Sequence, residues 1–387
     1  MLYDFDAVID RRGTDSLKVD FFELFGKDEG LLPMWVADMD FSVADEVLGD
    51  LRERVNRGVF GYSEAKSDYY DAVIKWFGER FGYVVESDEI VKAPGIVFAL
   101  AQAIRAFTRE GDGVILQTPV YYPFYEIIRN NGRRIEANKL IYSNGRFEMD
   151  FEDFERLAAK PDVKLFILCS PHNPVSRVWK REELSRINDI CKRNGVLVAS
   201  DEIHCDFVWP GSEHVCYGLL DEDAVVCTAP TKTFNLAGLQ ISNLFVKNER
   251  LRRDLKTEIR KSGYSQLNTF GLAACKSAYT KGALWLGELR EYILGNIALA
   301  RDFLRERLPD IRLVEPEGTY LLWLDFSAYG LSQAELDRRV TGGAGLWLDS
   351  GTMFGADGEG FQRVNVACPR SVLARALEQL AGEFGEG

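Results

Sequence analysis

Four residues whose side chains suit amine and proton chemistry each follow a short apolar segment of the chain. Tyr121 comes after residues 113–117, Asn173 after 164–169, Asp201 after 196–200 and Lys232 after 224–228. Short, continuously apolar segments of this kind are typical of buried parallel strands. Ligands of open α/β sheets bind at the carboxyl ends of the strands. We therefore expect an aromatic ring, an amide, a carboxylate and a lysine to share one sheet edge.

This combination of side chains suits pyridoxal 5′-phosphate (PLP), which has an aldehyde, a pyridine ring and a phosphate. The Lys232 amine can condense with the aldehyde, and the Asp201 carboxylate can keep the ring nitrogen protonated. Asn173 can donate a hydrogen bond to the phenolic oxygen, and Tyr121 can stack on the ring. The turn at Gly95 precedes an apolar helical pattern whose first amides can hold a phosphate. Each residue alone has an ordinary structural explanation, so the prediction rests on their joint placement.

The elements between these positions predict the fold class. Apolar residues recur at helical spacing in four stretches, at 70–81, 97–107, 184–191 and 285–308. Strands that alternate with amphipathic helices predict an α/β fold, with a mainly parallel central sheet sandwiched by helices. A smaller α+β domain is expected beside it. The predicted large domain covers 46–285, and the predicted small domain combines 1–45 with 286–387.

Composition excludes several classes of protein. The 387 residues include 47 Lys and Arg against 60 Asp and Glu, a net charge of −13, which argues against a nucleic-acid partner. No apolar run is long enough to span a membrane, and the N-terminus lacks the pattern of a signal peptide. The seven cysteines and three histidines show no metal-binding spacing. We expect a soluble cytoplasmic protein with reduced, buried cysteines and no metal site.

Five segments of the sequence resemble the fold-type I PLP enzymes of the aminotransferase class I/II superfamily. They are 35–41 (WVADMDF), 119–124 (PVYYPF), 170–175 (SPHNPV), 200–204 (SDEIH) and 229–240 (APTKTFNLAGLQ). Within that superfamily the chain resembles the cystathionine β-lyase or C–S lyase branch, over nearly its whole length. The resemblance implies the aspartate-aminotransferase-like fold and a homodimer whose active sites lie across the interface.

The resemblance also implies a role for each site residue. Lys232 would carry the cofactor and act as the catalytic base, Asp201 would pair with the ring nitrogen, and Asn173 with His204 would bind the phenolic oxygen. Tyr121 would stack on the ring, and the Ile96 and Val97 amides with the Thr231 hydroxyl would hold the phosphate. Tyr62 would reach the phosphate of the neighbouring subunit's cofactor. Arg363, in segment 361–369 (FQRVNVACP), would bind the substrate α-carboxylate, with Trp35 and Ala37 also at the substrate.

The implied reaction is β-elimination from cystathionine or a cysteine S-conjugate, which yields a thiol, pyruvate and ammonia. Two alternatives remain open at this point: an aminotransferase of the same fold, and a binding or regulatory protein that retains it. The sequence departs from the wider pattern at Gln240, where many aminotransferases have a phosphate-binding arginine, and this favours the lyase branch. It also has Ser176 where the branch often has glycine. The glycine-rich stretch 342–360 either lines the pocket or forms a surface loop.

Overall fold

The computed structural model describes residues 1–385. Its strands are β1 (Leu32–Pro33), β2 (Ile90–Ala93), β3 (Gly113–Thr118), β4 (Arg134–Lys139), β5 (Ile141–Ser143), β6 (Arg146–Glu148), β7 (Val163–Cys169), β8 (Leu197–Asp201), β9 (Val225–Thr228), β10 (Ser242–Phe245), β11 (Arg312–Val314), β12 (Leu321–Asp325), β13 (Leu346–Trp347), β14 (Asp349–Ser350) and β15 (Phe361–Asn365).

Its helices are α1 (Asp45–Arg57), α2 (Ser67–Phe81), α3 (Ile96–Phe107), α4 (Pro123–Asn130), α5 (Phe151–Ala158), α6 (Arg181–Asn194), α7 (Pro230–Thr233), α8 (Glu249–Lys261), α9 (Thr269–Lys281), α10 (Ala283–Arg307), α11 (Gln333–Arg338) and α12 (Arg370–Phe384). The four helical stretches expected from the sequence correspond to α2, α3, α6 and α10. Asn268 begins α9 by accepting a hydrogen bond from the Gly271 amide. Gly195 ends α6 in the left-handed conformation.

The large sheet has seven strands in the order β2-β10-β9-β8-β7-β3-β4. Neighbouring strands from β9 to β4 are parallel, whereas β10 runs antiparallel to both β9 and β2. The predicted α/β fold with a mainly parallel sheet is therefore confirmed. The reversal of β10 was not predicted, because an apolar strand of four residues gives no sign of its direction.

Helices cover both faces of this sheet. On one face, α3, α4 and α8 pack into an apolar core with the buried residues of β3, β7 and β9. The opposite face packs against α2, α6 and α9, and this core continues into the C-terminal part of the chain. Continuous apolar strands such as β3 and β7 are buried at nearly every residue for this reason.

A second, four-stranded antiparallel sheet has the order β11-β12-β15-β14. The N-terminal segment lies against it, since β1 pairs in parallel with β13 and the Asn365 amide of β15 donates to the Met34 carbonyl at 2.9 Å. The predicted domain boundary at residue 285 lies within the first turn of α10, and the division into two domains stays a prediction. No helix within residues 1–385 is long and apolar enough to cross a membrane.

Candidate active site

Three parallel strands bring polar residues to one edge of the large sheet. Cys169 and Asp201, at the ends of β7 and β8, are partners in register, and Asn173 follows four residues after Cys169. Lys232 lies in α7, the short helix that begins just after β9. Tyr121 joins the group after β3, where its amide donates to the Asn173 carbonyl at 3.1 Å. The expected meeting of these side-chain types at the strand ends is present.

Lys232 lies deep in the protein but keeps a partly exposed surface. Its Nζ donates to the Ala37 carbonyl oxygen at 2.5 Å, and the Tyr320 hydroxyl donates to the same oxygen at 3.1 Å. Burial lowers the pKa of Lys232 to about 8, with Asp38 opposing the shift. A lysine amine with this pKa is partly neutral near neutral pH, as nucleophilic or basic chemistry requires.

Asp201 is a buried carboxylate at the end of β8. One of its oxygens accepts a hydrogen bond from the Ile203 amide at 3.0 Å. Burial raises the pKa of Asp201 to about 7. A cationic group placed against the carboxylate would stabilise its charged form, because an opposite charge favours ionisation.

Arg363 is fully surrounded by protein, with 2% of its surface exposed. Its Nη1 donates to Asn173 Oδ1 at 3.0 Å, and its Nη2 donates both to the Trp35 carbonyl at 2.9 Å and to Asp349. The guanidinium also lies 4.8 Å from the centre of the Phe354 ring. The bond to Asn173 uses the amide oxygen, so the NH2 group of Asn173 remains available as a donor.

Segment 35–41 connects the lysine to the arginine through its main chain. The Trp35 carbonyl binds Arg363, and the Ala37 carbonyl binds Lys232. Asn365 donates to the carbonyls on either side of Ala37, at Val36 and Asp38. The Trp35 ring itself stacks on the Trp347 ring, with centroids 4.5 Å apart. Trp35 and Ala37 thus contact Arg363 and Lys232 through their carbonyl groups, and their contact with substrate stays a prediction.

The N-terminus of α3 lies at the same edge of the large sheet as these side chains. Gly95 precedes the helix and supplies no side chain to cap it. The first amides of a helix, here those of Ile96 and Val97, have no partner within the helix and attract anions. Thr231 is also buried, at the start of α7. Phosphate binding by the Ile96 and Val97 amides and the Thr231 hydroxyl stays a prediction.

His204 and Tyr62 differ sharply in environment. His204 is buried, and its ring packs edge-on against Tyr320 with centroids 5.7 Å apart. Its Nδ1 has no hydrogen-bond partner in the described part of the chain, and burial lowers the pKa of His204 to about 3. The imidazole is therefore neutral. Tyr62 is 98% exposed, so a single chain does not bring it into the pocket.

Sequence reasoning missed two groups of the site. Asp349 binds Arg363, and Tyr320 shares the Ala37 carbonyl with Lys232. Asp349 lies in the glycine-rich stretch 342–360, and the same stretch supplies Phe354 against Arg363, so this stretch lines the pocket. Its apolar run LWL at 346–348 was a local sign of strand structure.

Ser176 occupies a backbone position that favours glycine. Its φ is +56°, in the left-handed region where a side chain is strained. The Ser176 hydroxyl donates to the Leu321 carbonyl at 2.6 Å, and the residue is fully buried. This hydrogen bond ties the loop after β7 to β12, and it accounts for serine at a position where glycine is often found.

The residues present fit PLP. The site combines an amine whose pKa is lowered, a buried carboxylate, free helix amides, an available Asn173 NH2 group and a buried imidazole nitrogen without a partner. The cofactor aldehyde would react with the amine, and its pyridinium nitrogen would pair with the carboxylate. Its phosphate would accept hydrogen bonds from the helix amides, and its phenolic oxygen would lie against the Asn173 NH2 group and the imidazole. The residues named from the sequence are thus compatible with this cofactor, and their individual roles stay predictions.

The fold and the site define a class of protein, and the comparisons agree with it. The chain belongs to the aminotransferase class I and II family, whose sequence profile matches residues 37–380. It is 43% identical to cystathionine beta-lyase PatB of Bacillus subtilis, over 97% of this chain and 98% of the relative.

Two solved structures are similar along nearly the whole length. Cystalysin from Treponema denticola, which contains PLP, has a TM-score of 0.95 at 36% identity, covering 98% of each chain. The PLP-bound C–S lyase from Staphylococcus hominis has a TM-score of 0.92 at 34% identity, covering 99% of this chain and 98% of that one.

Proposed function

We propose that this protein is a PLP-dependent C–S β-lyase that converts cystathionine or a cysteine S-conjugate into a thiol, pyruvate and ammonia. The observation that carries the proposal is the shared anchoring of Lys232 and Arg363 on the carbonyls of Ala37 and Trp35, two residues apart. This arrangement suits an α-amino acid, whose reacting carbon lies next to its carboxylate. Similarity to a cystathionine beta-lyase and to C–S lyases selects the reaction.

Arg363 binds and orients the substrate in this proposal. A guanidinium matches the two oxygens of a carboxylate with parallel N–H donors. Its anchors to Asn173 and Trp35 fix the plane of the fork before the substrate arrives. The substrate is thus held by its carboxylate with the α-carbon directed toward Lys232, which is the positioning that a proton transfer needs.

Lys232 moves the protons. Bound PLP supplies a ring that withdraws electrons and makes the substrate α-hydrogen acidic. The neutral amine of Lys232 accepts that proton, and the resulting ammonium donates it to the departing sulfur. The C–S bond breaks with its electron pair leaving on sulfur, and the remaining three-carbon unit hydrolyses to pyruvate and ammonia. Asp201 keeps a proton on the ring nitrogen throughout.

A product assay separates this reaction from transamination. With L-cystathionine or a cysteine S-conjugate and no added keto acid, we expect equal amounts of thiol, pyruvate and ammonia. The matched control is L-alanine, which lacks a β-leaving group and should release none of them. Amino transfer that requires a keto acid and releases no thiol would make the aminotransferase interpretation correct.

We further propose a cytoplasmic homodimer in which Tyr62 completes the partner's site. Support comes from the exposure of Tyr62 together with that of its neighbours Val59 and Phe60, since exposed apolar side chains that cluster mark contact surfaces. The Tyr62 hydroxyl would donate to the phosphate of the partner subunit's cofactor.

Mixing two defective variants tests this arrangement. Hybrids of Tyr62→Ala and Lys232→Ala subunits carry one intact site and one doubly defective site, so activity should exceed the sum of the two parents. Hybrids of Lys232→Ala and Asp201→Ala subunits are the control, because both residues belong to the same chain's site and no intact site forms. Absence of recovery in the first mixture, or a fully active monomer by ultracentrifugation, would contradict the composite site.

A further inference from the structure

A second carboxylate is already bound to the arginine that the proposed function assigns to the substrate. Asp349 and Arg363 are partners in register on the adjacent strands β14 and β15, and their side chains form an ion pair. Both side chains have 2% of their surface exposed. The ion pair is therefore screened from water, and its charges act strongly on any further ion that enters the site.

The hydrogen bonds of Arg363 leave few donors for a ligand. Nη2 has two N–H groups, and they point to Asp349 and to the Trp35 carbonyl. Nη1 gives one of its two to Asn173, and Nε has no partner within the described residues. A substrate carboxylate that engages two N–H groups of the fork must either share the guanidinium with Asp349 or displace it.

The surroundings of Asp349 offer little further positive charge. Arg363 on β15 faces it directly, and Lys27 of the N-terminal segment is the second cation that acts on it. Tyr121 and Tyr122, in the loop after β3, are neutral phenols whose pKa values Asp349 helps to raise. Burial raises the pKa of Asp349 even with Arg363 alongside. Asp349 and a substrate carboxylate would together place two negative charges against the single positive charge of the buried Arg363. One negative charge would thus be in excess.

We propose that Asp349 is a resident counter-ion that sets the affinity of Arg363 for the substrate carboxylate, and that Asp349 takes up a proton when that carboxylate binds. The proposal rests on the assignment of Arg363 in the proposed function. Asp349 acts through Arg363, so it is a positioning residue. Without substrate it neutralises the arginine, and with substrate it becomes a neutral acid that no longer opposes the incoming charge.

The proton uptake fixes the sign of the pH dependence. The pKa of Asp349 is higher with a carboxylate bound than without one, because like charges favour the protonated form. Carboxylate binding is therefore tightest below both pKa values of Asp349. It weakens as the pH rises from the pKa of Asp349 in the free enzyme to its pKa in the complex. The inhibition constant should rise by at most about one log unit per pH unit, since one proton is taken up.

Propionate is a suitable probe, because it has the carboxylate of the substrate but no amine that could react with the cofactor. Its inhibition constant is measured on the holoenzyme against a cysteine S-conjugate, across the pH range in which the enzyme is stable. Asp349→Asn keeps an acceptor oxygen for Arg363 and removes the charge. Asp337→Asn is the matched control. Asp337 accepts a hydrogen bond at 2.9 Å from the hydroxyl of Ser350, the residue after Asp349, and it is not among the contacts of Arg363.

For Asp349→Asn we expect propionate to bind about tenfold more tightly than to wild type at the high-pH end, with the ratio of the two constants approaching one at low pH. Any other group that titrates in this pH range does so in both proteins, so its effect cancels in that ratio. Should Asp349→Asn fail to fold, calorimetry on wild type in two buffers of different ionisation enthalpy reports the proton uptake directly.

An unchanged inhibition constant in Asp349→Asn, or wild-type binding without proton uptake, would overturn the inference. Arg363→Lys separates this outcome from failure of the proposed function. If Arg363→Lys weakens propionate binding while Asp349→Asn has no effect, the carboxylate site stands and the counter-ion role is wrong. If propionate binding is indifferent to Arg363→Lys, the assignment of Arg363 fails, and the inference fails with it.

Discussion

Lys232→Ala is expected to lower turnover by at least about 10³-fold, because one substitution removes both the covalent attachment of the cofactor and the group that carries the α-proton. The Lys232 amine is the one whose pKa burial lowers to about 8 at this sheet edge. Steady-state release of pyruvate from a cysteine S-conjugate measures the effect, with cofactor content determined on the same preparations.

The control for this loss is Lys281→Ala, which removes an exposed ion pair with Asp50 at the end of α9. That variant should turn over at close to the wild-type rate, since exposed pairs contribute little to stability. An added primary amine of small size should restore part of the activity of Lys232→Ala, because it can replace the missing base. Turnover of Lys232→Ala within tenfold of wild type would contradict the assignment.

Asp201→Asn is expected to lower turnover by about 10²-fold or more while leaving the cofactor attached. Asparagine keeps the size of the side chain and can still accept the hydrogen bond from the Ile203 amide. It cannot supply the negative charge that keeps the ring nitrogen protonated, so the ring withdraws electrons less strongly. The measurement is turnover together with the absorbance spectrum of the bound cofactor.

Asp221→Asn serves as the comparison for Asp201→Asn, because it changes the same residue type at a partly exposed ion pair with Lys192, away from the strand ends. It should leave both turnover and spectrum unchanged. Near-normal turnover of Asp201→Asn would mean that another group pairs with the ring nitrogen, and that the buried Asp201 has a structural role.

Features that depend on local pattern were predictable from the sequence. The apolar strands and the helices at α2, α3, α6 and α10 follow from hydrophobic periodicity, which is a property of neighbouring residues. The positions of Asn173, Asp201 and Lys232 follow from the rule that places ligands at the ends of parallel strands. The fold class was reached from these features and the family from the resemblance of five sequence segments, and both are confirmed.

Contacts between distant parts of the chain were not predictable in this way. The bond from Arg363 to the Trp35 carbonyl joins residues 328 positions apart, and that from Lys232 to the Ala37 carbonyl joins residues 195 apart. Both bonds use main-chain oxygens, which every residue has, so the sequence contains no sign of them. Asp349 was missed for a related reason, since its pairing depends on the register of β14 against β15.

Reduction of the holoenzyme with borohydride, followed by proteolysis and mass spectrometry, tests the central claim most directly. The claim is that the amine on α7 is the point of attachment of the cofactor at this sheet edge. Reduction makes the attachment permanent, and the mass of the cofactor then marks one peptide. We expect the mark on Lys232, within segment 229–240. A mark on any other lysine, or none on a protein that retains activity, would contradict the account.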